Sequence, residues 1–86
     1  MEGLKMVIKR GMRDGRFNES NTVRYSNIPL ENVVEMLDDI ARRIEKGVYI
    51  MGTEVKAITV QRWTEVIKSA DDVKEMADYY RQYMEG

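Results

Sequence analysis

The chain has 86 residues, no cysteine and no histidine, and its fourteen basic against fifteen acidic residues leave a formal net charge of −1. That length serves one domain, residues 1–86, with a single core, and the 43% hydrophobic and 34% charged content is that of a globular protein and not of a disordered tail. The missing cysteines exclude disulfides and thiolate zinc sites, the missing histidines remove the commonest general base, and no apolar run nears the roughly 18 to 20 residues that cross a bilayer.

A small fold without disulfides suits a reducing compartment, so the cytoplasm is the default location. The first ten residues, MEGLKMVIKR, lack the long apolar core of a signal peptide. Charge is unevenly spread: residues 1–25 carry a net +3 and the remainder a net −4, so an anionic partner would meet the first quarter.

In chain order, residues 4–10 (LKMVIKR) alternate with Met6 and Ile8 on one face and Lys5, Val7 and Lys9 on the other, which predicts a half-buried strand ended by Gly11. Residues 11–20 collect glycine, asparagine, aspartate and serine and read as a loop. Residues 21–26 (NTVRYS) favour a second strand with Val23 and Tyr25 on one face. Pro29 suits a helix first turn, so a helix starts at Pro29 or Leu30, with Glu31 and Glu35 toward its positive end and Arg42, Arg43 and Lys46 toward its negative end. Gly47 supplies the left-handed stop.

Residues 48–51 (VYIM) then read as a short strand, residues 52–54 as a turn, and residues 55–63 (VKAITVQRW) as a strand with Ile58 and Val60 inward and Thr59, Gln61 and Trp63 outward. A helix over residues 54–68 competes with that last reading. Thr59-Val60-Gln61-Arg62-Trp63 also resembles the middle of a helix-turn-helix recognition helix, but the segment before it is too short for the partner helix. Ser69 and Asp72 have the spacing of a capping box, and a final helix runs to about Met84.

The two helical segments, residues 30–46 and 70–86, follow one pattern at a shift of forty. Val33, Glu35, Met36, Asp38 and Glu45 meet Val73, Glu75, Met76, Asp78 and Glu85. The implied fold class is α+β, in ββαββα order: a four-stranded, mainly antiparallel sheet with two amphipathic helices on one face. Residues 4–47 and 48–86 would be the halves of an internal duplication. The expected core is Met6, Ile8, Val23, Tyr25, Val33, Leu37, Ile40, Ile44, Val48, Ile50, Ile58, Val60, Val73, Met76, Ala77, Tyr80 and Met84.

The other sheet face would then show Lys5, Val7, Lys9, Arg24, Tyr49, Met51, Thr59, Gln61 and Trp63. The expected partner-binding residues are Tyr49, Met51, Trp63, Lys9 and Arg24, because Trp, Tyr, Met and Arg are enriched at protein interfaces and an open apolar face often closes by dimerisation. The alternative is nucleic acid. Exposed aromatics would stack on unpaired bases while Arg10, Arg13, Arg16 and Phe17 extend the platform and hold phosphates. A third reading slips the parity by one and makes Trp63 a core residue. Adjacent carboxylates such as Asp38-Asp39 and Asp71-Asp72 point apart on a helix and do not form a catalytic or metal pair, and no phosphate-binding glycine loop is present.

The expectation is therefore a non-enzymatic binding or regulatory module, without cofactor, metal or membrane. It would act on a protein partner or as a homodimer, in the manner of a phage or mobile-element accessory protein.

Overall fold

The computed structural model describes residues 3–12, 17–48 and 52–85, with side chains from 21 onward in the second segment and up to 84 in the third. Along them run β1 (Leu4–Met12), β2 (Phe17–Ile28), α1 (Leu30–Glu45), β3 (Thr53–Val60), β4 (Trp63–Val66) and α2 (Ala70–Glu85). The class is α+β and the order ββαββα, as expected. The strands pair antiparallel in the order β2-β1-β3-β4, which sets two hairpins side by side with β1 and β3 at the centre.

β1 alternates as its sequence dictates, with Met6 and Ile8 buried. Gly11 does not end it, because it is paired on both sides, with Phe17 of β2 and Glu54 of β3. β2 likewise reaches back to Phe17 and takes in part of the expected loop. As an outer strand it has one unpaired edge, and an edge tolerates polar residues that a central strand would not. Near its end the register slips between the Leu4–Ile28 and Met6–Tyr25 pairs, and Asn27 adopts a left-handed φ of 58°. Such a bulge inserts an extra residue, and asparagine is among the few non-glycine residues that tolerate it. The chain crosses very closely here: a Cβ on Gly3 would lie 2.3 Å from the Asn27 carbonyl carbon.

The second hairpin departs most from expectation. Residues 55–63 are not one strand, nor are residues 54–68 a helix. β3 ends at Val60, Gln61 and Arg62 form a two-residue turn, and β4 returns from Trp63. Gln61 sits at φ 57°, and its backbone and side chain are both bound to Lys5 at the start of β1. Its N–H donates to the Lys5 carbonyl at 2.9 Å, and its Oε1 accepts from the Lys5 N–H at 2.7 Å. The recognition-helix resemblance falls with this turn. Of the expected strand 48–51, Val48 is exposed coil at the end of α1, and Tyr49, Ile50 and Met51 lie outside the described residues.

Both helices are terminated by local chemistry. The Pro29 carbonyl accepts from Asn32 and Val33 at the start of α1. At its end Gly47 (φ 70°) donates to Ile44 and Val48 donates to Arg43 at 2.9 Å, the paired bonds of a Schellman stop. The α2 cap is reciprocal, as predicted: Ser69 Oγ accepts from the Asp71 N–H at 3.3 Å, and Asp72 Oδ2 accepts from the N–H groups of Lys68 and Ser69. Those two backbone donors hold the Asp72 carboxyl below its ordinary pKa.

Between the helices, Asp38 pairs with Arg81 at 2.6 Å and Glu45 pairs with Lys74. Seven residues forward on α1 match seven backward on α2, so the helices run antiparallel. One apolar cluster joins Met6, Ile8, Val55, Ile58 and Val60 from the strands to Val33, Leu37 and Ile40 of α1 and Val73, Met76, Ala77 and Tyr80 of α2.

Several expected core members are not in that cluster. Val23 and Tyr25 pair with Ile8 and Met6 and so have the right parity, yet they stay 40% and 39% exposed because their outer strand is incompletely covered. Val48 and Met84, at the ends of the helices, are exposed too, and Ile44 is only partly buried. Ile28, Leu30, Val34, Ala41, Ile67 and Ala70 join the core instead.

Candidate functional site

Cross-strand pairing decides which residues share a sheet face, because directly paired residues point the same way. Val60 is fully buried and pairs with Trp63, which packs against the core cluster. Trp63 therefore faces the core and not the outer face with Thr59; the turn at Gln61 and Arg62 shifts its parity relative to an unbroken strand. This corrects the expected surface of Trp63 beside Lys9 and Arg24.

On its actual side Trp63 meets two tyrosines of α2, and a third joins the cluster through them. Its ring centroid lies 5.1 Å from Tyr79, nearly perpendicular, and 5.9 Å from Tyr80. Tyr79 in turn makes an edge contact with Tyr80 at 5.1 Å and a steeply inclined one with Tyr83 at 5.4 Å. Edge-on packing of this kind is favoured by the ring quadrupoles, at roughly 0.5–1.5 kcal/mol per pair beyond area burial. The polar ends are partly occupied. Tyr80 donates to the Val60 carbonyl at 3.3 Å, the Tyr79 and Tyr83 hydroxyls are 2.9 Å apart, and Trp63 Nε1 donates to Glu65 at 3.1 Å. Burial pushes the Tyr80 phenol up in pKa, and the bond to Tyr83 does the same for Tyr79.

The inner ring of this cluster is buried, and the outer ones are not: Tyr79 is 44% and Tyr83 59% exposed. Beside them opens a cleft of about 730 Å³ lined by Gln61, Arg62, Trp63, Glu75, Asp78, Tyr79, Tyr80 and Gln82 together with Val60. Asp78 is held by Arg81 at 2.6 Å, while Glu75 has no ion pair among the described residues. The corner thus combines aromatic faces with carboxylates, a set suited to a cationic side chain.

The reverse sheet face is different in character. Pairings place Arg24, Val7, Thr59 and Thr64 in one row and Thr22, Lys9, Ala57 and Val66 in the next, with Lys5 on the same parity. Among these residues there are three basic groups and no carboxylate, and the Thr59 and Thr64 hydroxyls are hydrogen-bonded at 2.7 Å. Lys9 and Arg24 are thus brought together as expected, without an aromatic partner among the described residues of that face.

The other expected site residues scatter. Tyr49, Met51, Arg13 and Arg16 lie outside the described residues. Phe17 opens β2 opposite Gly11, and its side chain is likewise outside the description. Arg10 sits at the far end of β1, where it and Arg43 line the same cavity. Sequence reasoning missed Tyr79 and Tyr83. Their i, i+4 spacing on α2, just off the stripe of Val73, Met76, Ala77 and Tyr80, was the available signal.

Among the described residues no group of three or more acidic side chains is placed to hold a metal ion, and no helix is long and apolar enough to cross a membrane. No protein-family model, curated protein or solved structure matches this chain.

Proposed function

We propose that the protein is a small, non-enzymatic binding module that works through contact with another protein at the corner formed by Trp63, Tyr79 and Tyr83. The observation that carries this reading is the exposure of two large aromatic rings beside a cleft, where tryptophan, tyrosine and arginine supply most of the energy at protein interfaces. Glu75 and Asp78 at the rim favour a partner segment that presents lysine or arginine. α1 and α2 together carry ten carboxylates against four basic residues and extend that preference.

In this reading both helices cover one face of the sheet and the ββα unit is given twice. Support comes from the helix spans, which differ by forty residues, and from the buried pairs Leu30 and Ala70, Val33 and Val73, Leu37 and Ala77, and Ile40 and Tyr80 at that same shift. Homodimerisation through the reverse face is the weaker route, since two copies would bring Lys5, Lys9 and Arg24 of one against those of the other.

Trp63 is the only tryptophan, so its fluorescence reports on the corner directly. Peptides selected for binding should be rich in lysine or arginine, shift Trp63 emission, and lose binding to Tyr79→Ala and Glu75→Lys variants. Selection of peptides that ignore both substitutions would refute the reading. Sedimentation of the free protein separates a second copy from a different partner.

A second reading rests on the basic groups of the reverse face, which have no ion pair among the described residues and would meet phosphates of a nucleic acid without stacking on bases. Three such contacts predict a salt slope of roughly −2 to −3 in log affinity for oligonucleotides. A flat salt response rules it out.

A further inference from the structure

We propose that the cavity between the end of α1, the far end of β1 and the start of α2 is an oxyanion site, shaped for inorganic phosphate or the phosphate group of a small monoester. It lies near Val55, five residues along β3 from Val60 and so about 17 Å from the aromatic corner, and it stands apart from the protein-contact reading.

The site is built by a register slip. β1 pairs Lys9 with Ala57 and then Arg10 with Val55, skipping Lys56. Val55 is buried, and Arg10 follows Ile8 onto the helix side, where the residue is partly buried. Among the described residues Arg10 has no hydrogen bond and no ion pair. A partly buried guanidinium with five donors and no acceptor is costly unless something outside the chain satisfies it.

Its surroundings are positive. Arg43 from the last turn of α1 and Lys68 from the approach to α2 line the same cavity, with Glu54 as the one carboxylate. Glu54 is already held by Lys56 at 2.6 Å, and Asp39, the carboxylate beside Arg43, is shared between Arg42 and Arg43. Burial and the like charge of Arg43 both lower the pKa of Arg10, and Asp39, which lines a neighbouring cavity with both arginines, is bonded to Arg43. Ser69 at the rim accepts from Asp71 through Oγ and keeps its own hydroxyl proton to donate. Asp72 already caps α2, so the charge of the site comes from its side chains and not from the helix end.

The cavity measures about 90 Å³. That suits one tetrahedral oxyanion, which two arginines can hold through paired N–H···O bonds.

The test is thermal unfolding at constant ionic strength, with chloride exchanged for inorganic phosphate in one arm and for glycerol phosphate in the other. A tenfold excess over the Kd should raise the wild-type midpoint by roughly 5 to 10 °C. Arg10→Gln and Arg43→Gln should each abolish most of that rise, and without phosphate Arg10→Gln should melt at or above the wild type because the cation repulsion is gone. A rise with phosphate alone assigns the site to the free ion, and a rise with both assigns it to monoesters as well. Equal midpoints in chloride and in both phosphates, or a full rise in the Arg43→Gln variant, whose side chain is half exposed and whose loss leaves the core intact, would overturn the proposal.

Discussion

Replacement of Trp63 by alanine separates the two faces on which that residue could lie. On the core side, its loss removes two aromatic contacts, at 5.1 and 5.9 Å, and part of the burial of a large ring. Full truncation of a buried tryptophan costs about 3–5 kcal/mol, and about half of that is expected at a partly exposed site. Adding the one edge-on contact, with Tyr79, brings the estimate to roughly 2–4 kcal/mol. In a domain of this size that lowers the melting midpoint by roughly 10 to 25 °C.

On a free outer face the same change would cost within about 0.5 kcal/mol. Val66→Thr supplies the control, because Val66 pairs with Ala57 on the reverse face and is 62% exposed; it should leave stability within about 0.5 kcal/mol. Urea unfolding followed by far-ultraviolet circular dichroism is the assay, since it does not need the tryptophan, and an unchanged m-value would show that the unfolded state is the same. A Trp63→Ala protein as stable as the wild type would refute the placement of this side chain and the aromatic corner with it.

Three further outcomes follow from local geometry. Gly47→Ala forces a Cβ into a φ of 70° with nothing within 4 Å of it, so the cost is backbone strain alone, about 1–2 kcal/mol by chemical denaturation, and Gly47→Asn should cost less. The Asp72 carboxyl has a depressed pKa in the folded chain, so its contribution is present above the ordinary carboxyl value of 3.8 and is lost as pH falls through the lower folded value. The stability difference between wild type and Asp72→Asn should therefore be seen near neutral pH and vanish in strong acid; a difference that persists there would sink the capping account. A double-mutant cycle on Asp38 and Arg81, both substantially exposed, should return a coupling of about 0.2–1 kcal/mol that falls with added salt.

The helices were legible because everything that makes them is local. Apolar residues step by three and four, Ser69 and Asp72 stand at capping distance, and Gly47 follows the last turn, so both spans and both terminators could be read from neighbours in the chain. β1 was legible for the same reason, through the alternation around Met6 and Ile8. The strands failed where sheet position mattered. Val23 and Tyr25 have the right alternation for a core, but only tertiary structure puts β2 at a sheet edge where both stay exposed. Gly11 looks like a stop, and only pairing on both sides carries the strand through it.

The second hairpin shows the limit most clearly. The sequence by itself determined an α+β chain with two matched helices, each preceded by strand-forming residues, because those signals span a few residues. It held no sign of a reversal at Gln61 and Arg62, since neither is a glycine, an asparagine or a proline. That turn is held by Lys5, whose backbone bonds Gln61 from 56 positions away, and a contact so distant exists only once the sheet has formed. Tertiary structure therefore decided which way Trp63 points, and through it which surface carries the aromatic rings.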